Sequence, residues 1–447
     1  MEGLPVIAID FGATSIRVCR IDLEARPVSL RVVHRHPHGP IRHADGSLRW
    51  DWERLVAEMY RGLELALREG PVASIGVDTW GVDYGLLDAH GELVAPPFCY
   101  RDERTRDWLE IVARIGGRRL YELAGLQLMP LNTIFQLAAQ DAEERERARS
   151  LLMLPELIVY ELCGEALAEA TSAGTTGLVE IQTGRWCAEL LDAVGADPRW
   201  FHEIREAGML AGTWRGIPVH LVGGHDTASA VVAMAAHPSP DTAFVSAGTW
   251  FLVGRELASP DTGEPAQAAN FSNERGTFGS IRFLKNLIGM WLLEECRRGW
   301  GDPPVESLLD EAAAVRTPVP VIDVNQPELL APADMVATLR AMAGLPDDVE
   351  RGVLVRVILN SIAEGVRRIV DDLGTVDDLG TVDDITIFGG ASRSALLCDT
   401  LANRSGRAVR TGPSEATALG NALTQGVALG AFADQEEARA SLAEDGR

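Results

Sequence analysis

The sequence predicts an α/β protein built from two related halves, and three observations predict it. An apolar strand, Pro5 to Asp10, runs into the small-residue turn Phe11-Gly12-Ala13-Thr14-Ser15 and a returning strand, Ile16 to Asp22. The same order recurs at Thr242 to Ser246, Ala247-Gly248-Thr249 and Phe251 to Val253. Between them lies AAHPSPD (235–241), rich in breakers and suited to a domain boundary. The expected domains are therefore 1–236 and 237–432, with a tail over 433–447.

In the first half, Val28 to His34 offers a third strand and Trp52 to Leu67 an amphipathic helix, with Leu55, Met59, Leu63 and Leu67 on one stripe. Ala73 to Val77 follows as a buried strand, with a second hairpin around Asp88-Ala89-His90-Gly91. In the second half, Arg351 to Val370 is a long apolar-striped helix, and Ile385 to Phe388 a strand ending in Gly389-Gly390-Ala391-Ser392. The tandem DDLGTV-DDLGTV-DD over 371–384 reads as a duplication in an exposed acidic connection. It lacks the ligand spacing and closing Glu of a calcium loop.

Composition narrows the function. The 447 residues are 46% hydrophobic and 24% charged, ordinary for a globular chain too long for a single core. A formal net charge of -24 with no basic patch repels phosphate backbones and argues against a nucleic-acid partner. The 6 cysteines are scattered without a C-x-x-C, against structural zinc or a disulfide framework. No apolar run spans a bilayer, and the first strand follows the start directly. A reduced cytoplasmic enzyme, monomer or homodimer, is the expectation. Lys285 is the only lysine among 41 Lys plus Arg. Either the chain favours arginine throughout, or Lys285 sits where a compact ammonium is needed.

The two small-residue turns suit phosphate, because backbone N–H groups can close on anionic oxygens while hydroxyls add donors. Each is also an ordinary hairpin turn when taken alone. Asp10, at the end of the first strand, can hold Mg²⁺ as phosphoryl transfer requires. Gly223-Gly224-His225-Asp226-Thr227 follows a short strand, Val219 to Val222, and opens a helix. Asp226 reads as the helix N-cap, and a carboxylate there can also accept a proton from a substrate hydroxyl. Asp78-Thr79-Trp80-Gly81-Val82-Asp83 breaks an apolar strand with polar groups, as strand ends facing a ligand crevice do. Trp80 is either a stacking platform for a sugar or a buried corner tryptophan. No Walker loop, dinucleotide fingerprint or protein-kinase signature is present, so ATP phosphates would be held by turns from two domains.

IAIDFGATSIRV, VDTWGVDYGLLDAHGELV, YRDERT, GGHDTASAV, SAGTWFLVG, FLKNLIGMWLLEE, FGGASRSALLCDTLAN and GPSEATALGNALTQG resemble, in order, the FGGY carbohydrate kinases. The resemblance covers Ile7 to about Gly430. It implies two actin-like (ribonuclease H-like) α/β domains with an interdomain cleft, a small ketose substrate, ATP and Mg²⁺. By motif it implies that Ala13, Thr14, Ser15, Ile16 and Arg17 line the ATP phosphates and that Asp10 helps place the metal. Gly81, His225 and Thr227 would touch the sugar, as would Asn286, with Asp226 as the proton acceptor. Gly248 and Thr249 would form the second phosphate loop, and Gly389 and Gly390 would contact the nucleotide. Two positions depart from the pattern. Ile16 stands where glycine is frequent and can point into the core. Glu294 replaces a glutamine on the adenosine side, where a carboxylate would turn to ribose or solvent. The implied mechanism is direct transfer in a ternary complex, with domain closure aligning the two substrates.

Overall fold

The computed structural model describes residues 3, 5–234, 241–376 and 380–442. Residues 235–240 of the breaker segment, 377–379 of the tandem and 443–447 of the tail lie outside the described residues. By compactness the chain groups discontinuously into two units. One holds Met1–His237, Glu256–Phe283 and Ala416–Arg447, and the other Pro238–Arg255 and Leu284–Glu415.

The first unit is built on a six-stranded sheet. In spatial order its strands are Leu210–Trp214, Ile217–His220, Ile75–Thr79, Val6–Gly12, Ser15–Asp22 and Ser29–Pro37. Val6–Gly12 is buried along nearly its whole length, as a continuous apolar run in a central strand should be. It runs antiparallel to Ser15–Asp22 and parallel to Ile75–Thr79, which sets Asp10 beside Asp78 in register. The Trp52–Leu67 helix buries Trp52, Leu55, Met59 and Leu63 and packs on Ser15–Asp22 and Ser29–Pro37. The Ala416–Ala428 helix packs on Val6–Gly12, on Ile75–Thr79 and on the Asp226–Val232 helix. A separate apolar cluster, including Phe135, Leu151, Leu178 and Trp200, supports the segment between Tyr84 and Phe201.

The second unit repeats the plan. The second six-stranded sheet carries, in order, Ser272–Arg275, Ile281–Ile288, Trp250–Leu257, Thr242–Ala247, Asp384–Phe388 and Ala408–Thr411. Thr242–Ala247 again has an antiparallel hairpin partner on one side and a parallel strand on the other. The Arg351–Leu373 helix packs against the Val305–Ala314 and Ala395–Ser405 helices. A central strand with one hairpin partner and one parallel partner, present twice, is the actin-like α/β arrangement.

Three local expectations change. The strand expected over Ala73 to Val77 is Ile75–Thr79, because Asp78 and Thr79 still pair with Asp10 and Phe11. The hairpin around Asp88–Gly91 shrinks to an isolated bridge between Leu87 and Leu93, while Tyr84–Leu87 pairs instead with Ser150–Met153. Asp88 Oδ1 takes the N–H groups of His90 at 2.8 Å and Glu92 at 3.1 Å, closing the turn locally. Pro96 and Pro97 then follow without N–H groups to continue a ladder. The tandem is not wholly an exposed connection. Its first DDL ends the long helix, and Val376 and Val382 are buried because the apolar positions of the repeat still seek the core.

Candidate active site

In the first unit, three segments end side by side at the carboxyl edge of the sheet. Thr79 pairs in parallel with His225, and Thr79 N donates to the Gly224 carbonyl at 2.8 Å. The loop carrying Asp226 therefore continues the sheet next to the strand carrying Asp78. Ligands in open α/β sheets bind at such an edge.

Asp10 and Asp78 are both fully buried. Arg17 Nη2 reaches Asp10 Oδ1 at 2.9 Å and Oδ2 at 2.8 Å, so the first turn brings a metal candidate and a phosphate candidate together. Asn421 donates to Asp78 Oδ2 at 2.6 Å, while Asp78 Oδ1 has no hydrogen-bond partner among the described residues. Burial, and then the neighbouring Asp10 charge, push the Asp78 carboxyl well above the usual carboxylate range, with Asn421 opposing. Ala13 and Thr14 form the tip between Gly12 and Ser15, which face each other across the hairpin. Ile16 is fully buried, so its side chain belongs to the core and only its backbone can face the turn. His38 Nε2 donates to the Gly12 carbonyl at 2.9 Å. Burial lowers the His38 pKa to about 4, against that hydrogen bond, so the ring is neutral.

Asp226 is not the helix cap. The helix is Asp226–Val232 with His225 at the cap position, and the Asp226 carboxylate is its first residue. The reason is local: Ala228 N and Ser229 N donate to the His225 carbonyl, at 2.8 and 3.2 Å, so the helix starts one residue earlier than a cap at Asp226 would require. Asp226 Oδ1 instead meets the Thr227 hydroxyl at 3.2 Å and His225 Nε2 at 3.4 Å. Glu169 Oε2 positions this loop from beneath, accepting from Gly224 N at 3.0 Å and from Thr171 Oγ1 at 2.6 Å.

Gly81 lies against this loop, since a Cβ there would sit 3.2 Å from the His225 ring and 3.1 Å from Thr175. Val82 follows at φ 70, an uncommon conformation for a β-branched residue. The strain is held by Val82 N donating to Thr175 Oγ1 at 3.2 Å and its carbonyl accepting from Thr133 Oγ1 at 2.7 Å. Trp80 takes the corner role. It is 6% exposed, packs tilted against Trp50 with centroids 4.3 Å apart, and donates Nε1–H to Asp83 Oδ2 at 2.9 Å. Burial raises the Asp83 pKa to about 6, against hydrogen bonds from Trp50, Trp80 and Gln136.

In the second unit the corresponding turn is tied by backbone. Gly248 N donates to Trp250 O at 3.0 Å, Met290 N to Gly248 O at 3.1 Å, and Trp291 N to Thr249 O at 3.2 Å. Gly389, at φ +89, approaches so closely that a Cβ would lie 2.9 Å from Ala247 O. Gly390 has open space around its Cα. Asn286 is half-buried on the Ile281–Ile288 strand. Glu294 turns to Arg297 Nε at 3.0 Å, within its own helix. Lys285 Nζ lies 3.4 Å from Asp372 Oδ2, giving the only lysine an acidic neighbour.

Residues 5–233 match the N-terminal domain of the FGGY family of carbohydrate kinases, and 243–429 match its C-terminal domain. The chain belongs to the FGGY family of carbohydrate kinases. It is 36% identical over 450 residues to a rhamnulokinase of Klebsiella pneumoniae, covering 97% of this chain and 91% of that protein. It is likewise 36% identical over 447 residues to a rhamnulokinase of Bacteroides thetaiotaomicron, covering 96% and 91%. Among solved structures it resembles a ligand-bound xylulose kinase of Lactobacillus acidophilus at TM-score 0.78 and 17% identity, covering 97% and 91%. It also resembles a Plasmodium falciparum glycerol kinase with ADP at TM-score 0.77 and 16% identity, covering 99% and 93%. This chain is thus a sugar kinase. Among its described residues no helix is long and apolar enough to cross a membrane.

Four buried polar residues around these side chains escaped the sequence reading. Asn421 and Gln425 stand four apart in a largely apolar helix, and Gln425 donates to Ile7 O at 3.0 Å. That i, i+4 polar pair was the available signal. Glu274 and Arg282, which surround His225, carried none.

Proposed function

We propose that this kinase transfers the γ-phosphoryl group of ATP to the C1 hydroxyl of L-rhamnulose, giving L-rhamnulose 1-phosphate and ADP. It would act in the cytoplasm, as a monomer or homodimer, in rhamnose breakdown. The observation that carries the chemistry is Asp226: a half-buried carboxylate at the sheet edge, released from helix capping and flanked by His225 and Thr227. The likeness to rhamnulokinases along nearly the whole chain supports the choice of sugar.

The C1 oxygen attacks the γ-phosphorus as the bond to the β–γ bridging oxygen breaks, and the hydroxyl proton passes to Asp226. Gly81, His225 and Thr227 hold the sugar on one side, with Asn286 as a further contact. Ala13, Thr14, Ser15 and Arg17 receive phosphate oxygens at the first turn, and Gly248 and Thr249 at the second. Gly389 and Gly390 lie along the nucleotide. Ile16 would contribute backbone only, and Glu294 is paired with Arg297 within its own helix.

Mg²⁺ fits the residues present. Asp10 supplies hard oxygen atoms, and the Asp78 Oδ1 beside it in register, without a hydrogen-bond partner among the described residues, suits a cation nearby. Among the described residues no group of three or more His, Cys, Asp or Glu forms a protein cage. Magnesium held by one or two carboxylates plus phosphate and water needs none. When bound it would neutralise phosphate charge. Asp10 would hold it, with Asp78 behind.

The test is ADP release over a panel of L-rhamnulose, L-fuculose and D-xylulose. L-Rhamnulose should give the highest kcat/KM, and a clear maximum with another ketose overturns the assignment. Asp226→Asn should lower kcat about 10²- to 10⁴-fold while ATP binding by calorimetry persists. Retained turnover removes Asp226 as the base.

A further inference from the structure

His225, the residue before the proposed base, has a buried support of its own. Arg282 is fully buried and Glu274 is 5% exposed, and Arg282 Nη2 lies 3.1 Å from Glu274 Oε2. Arg282 also donates to the Arg275 carbonyl, through Nε at 3.3 Å and Nη2 at 3.2 Å. A buried ion pair of this kind contributes little net stability compared with well-packed apolar residues. Its placement around one imidazole gives it another use.

His225 Nδ1 lies 3.0 Å from Arg282 Nη2 and 3.4 Å from Glu274 Oε2. A guanidinium has five donors and no acceptor. A hydrogen bond at 3.0 Å therefore exists only when Nδ1 carries a lone pair. The contact to Glu274 lies beyond the usual N–H···O range, so it does not compete for a proton on Nδ1. Glu274 instead anchors the guanidinium. The imidazole proton then resides on Nε2, which points toward Asp226 Oδ1 at a loose 3.4 Å. That donor is aimed at the reacting edge and is not consumed by a tight bond within the protein.

We infer that the Glu274–Arg282 pair is a positioning device that fixes His225 as its neutral Nε2–H tautomer. The residue beside the base thereby presents a hydrogen-bond donor to an oxygen acceptor of the sugar, a carbonyl or hydroxyl oxygen. His225 itself takes no proton in the reaction. The role toward sugar rests on the kinase reading above, whereas the tautomer does not.

The decisive measurement is a two-bond ¹H–¹⁵N correlation on the full-length wild-type protein with ¹⁵N-labelled histidine, His225 being assigned by loss of its signal in His225→Gln. Nε2 should carry the protonated-type shift and Nδ1 the unprotonated one. A protonated Nδ1, or a doubly protonated ring, at neutral pH overturns the proposal whether or not any ketose is turned over. For the functional half, Arg282→Met should mix the tautomers and lower kcat/KM for the ketose roughly tenfold or more, with KM for ATP unchanged. Arg282→Lys, whose ammonium also only donates, should restore both the tautomer and most of kcat/KM. Loss of the tautomer without loss of kcat/KM removes the positioning role. Equal loss in the Met and Lys variants with the tautomer intact in both also removes it. Should Arg282→Met fail to fold, the wild-type spectrum and Arg282→Lys still decide. Absence of turnover with every ketose sinks the kinase reading and leaves the tautomer result standing.

Discussion

The two small-residue turns, Gly12–Ser15 in the first unit and Ala247–Trp250 in the second, have the same scaffold and opposite chemistry. Each joins a central strand to its antiparallel partner, beside a parallel neighbour. Around the first turn stand Asp10 with Arg17, then Asp78 with Asn421, and His38 on the Gly12 carbonyl. The second is shaped by backbone bonds from Met290 and Trp291 and by the close approach of Gly389 to Ala247. A duplicated fold supplies two equivalent turns, and the side chains on neighbouring strands decide which of them is lined by charge. Of the two turns, it is the first that buried charged side chains surround.

The largest expected effect tests that division directly. Asp10→Asn removes a fully buried charge from beside Asp78 and Arg17, and should lower kcat by about 10²-fold or more. Thr249→Ala removes one neutral hydroxyl from the second turn and should cost about tenfold or less, the worth of one neutral hydrogen bond. Steady-state kinetics on the two variants compare the turns. If Thr249→Ala costs as much as Asp10→Asn, the division of labour is wrong.

Stability should show the reverse ranking. Gly389 holds φ +89 and ψ -179, a region essentially closed to side chains, and a Cβ there would lie 2.9 Å from Ala247 O. Gly389→Ala should therefore destabilise by about 1–3 kcal/mol, read as a lower Tm. At Gly12 the nearest atom to an added Cβ is Arg17 Nη2 at 3.1 Å, the far end of a flexible side chain. Gly12→Ala should cost under about 1 kcal/mol, because that end can shift. A larger loss of Tm in Gly12→Ala than in Gly389→Ala would mean that the charged turn, not the backbone turn, is the rigid one.

What the sequence made legible follows the range of the interactions. Hairpins with small-residue turns and the Trp52–Leu67 helix depend on neighbours within a few residues, and their periodicities show it. The Asp10 and Asp226 motifs were visible because polar residues interrupt apolar strands. Their surroundings were not. Asn421 reaches Asp78 from a helix 343 positions away, and Arg282 reaches His225 across 57. Asp226 itself misled, since a carboxylate opening a helix ordinarily caps it, and only the carbonyl geometry of His225 shows otherwise. Trp80 divides the same way: residue type allowed stacking or burial, and Trp50 with Asp83 takes it into the core.

The smallest effect concerns the support beneath the Asp226 loop, and it extends the contrast between a turn lined by charge and one tied by backbone. Glu156 is buried beside Glu169, the residue that holds Gly224, and accepts from Glu169 N at 2.8 Å and from the Ser172 hydroxyl. Burial, opposed by the Ser172 hydrogen bond and reinforced by Glu169, raises the Glu156 pKa to about 8 from an ordinary 4.5. A carboxyl raised on folding contributes stability that is complete below its unfolded pKa and is lost as pH rises through its folded pKa. Across that window the loss is about 1.4 kcal/mol per pH unit. Glu156→Gln keeps the shape of the protonated acid and cannot ionise. Urea unfolding at pH 6 and pH 7 should therefore show the variant gaining about 1.4 kcal/mol relative to wild type over that one unit. A difference that does not change with pH would mean that Glu156 is already ionised in the folded protein.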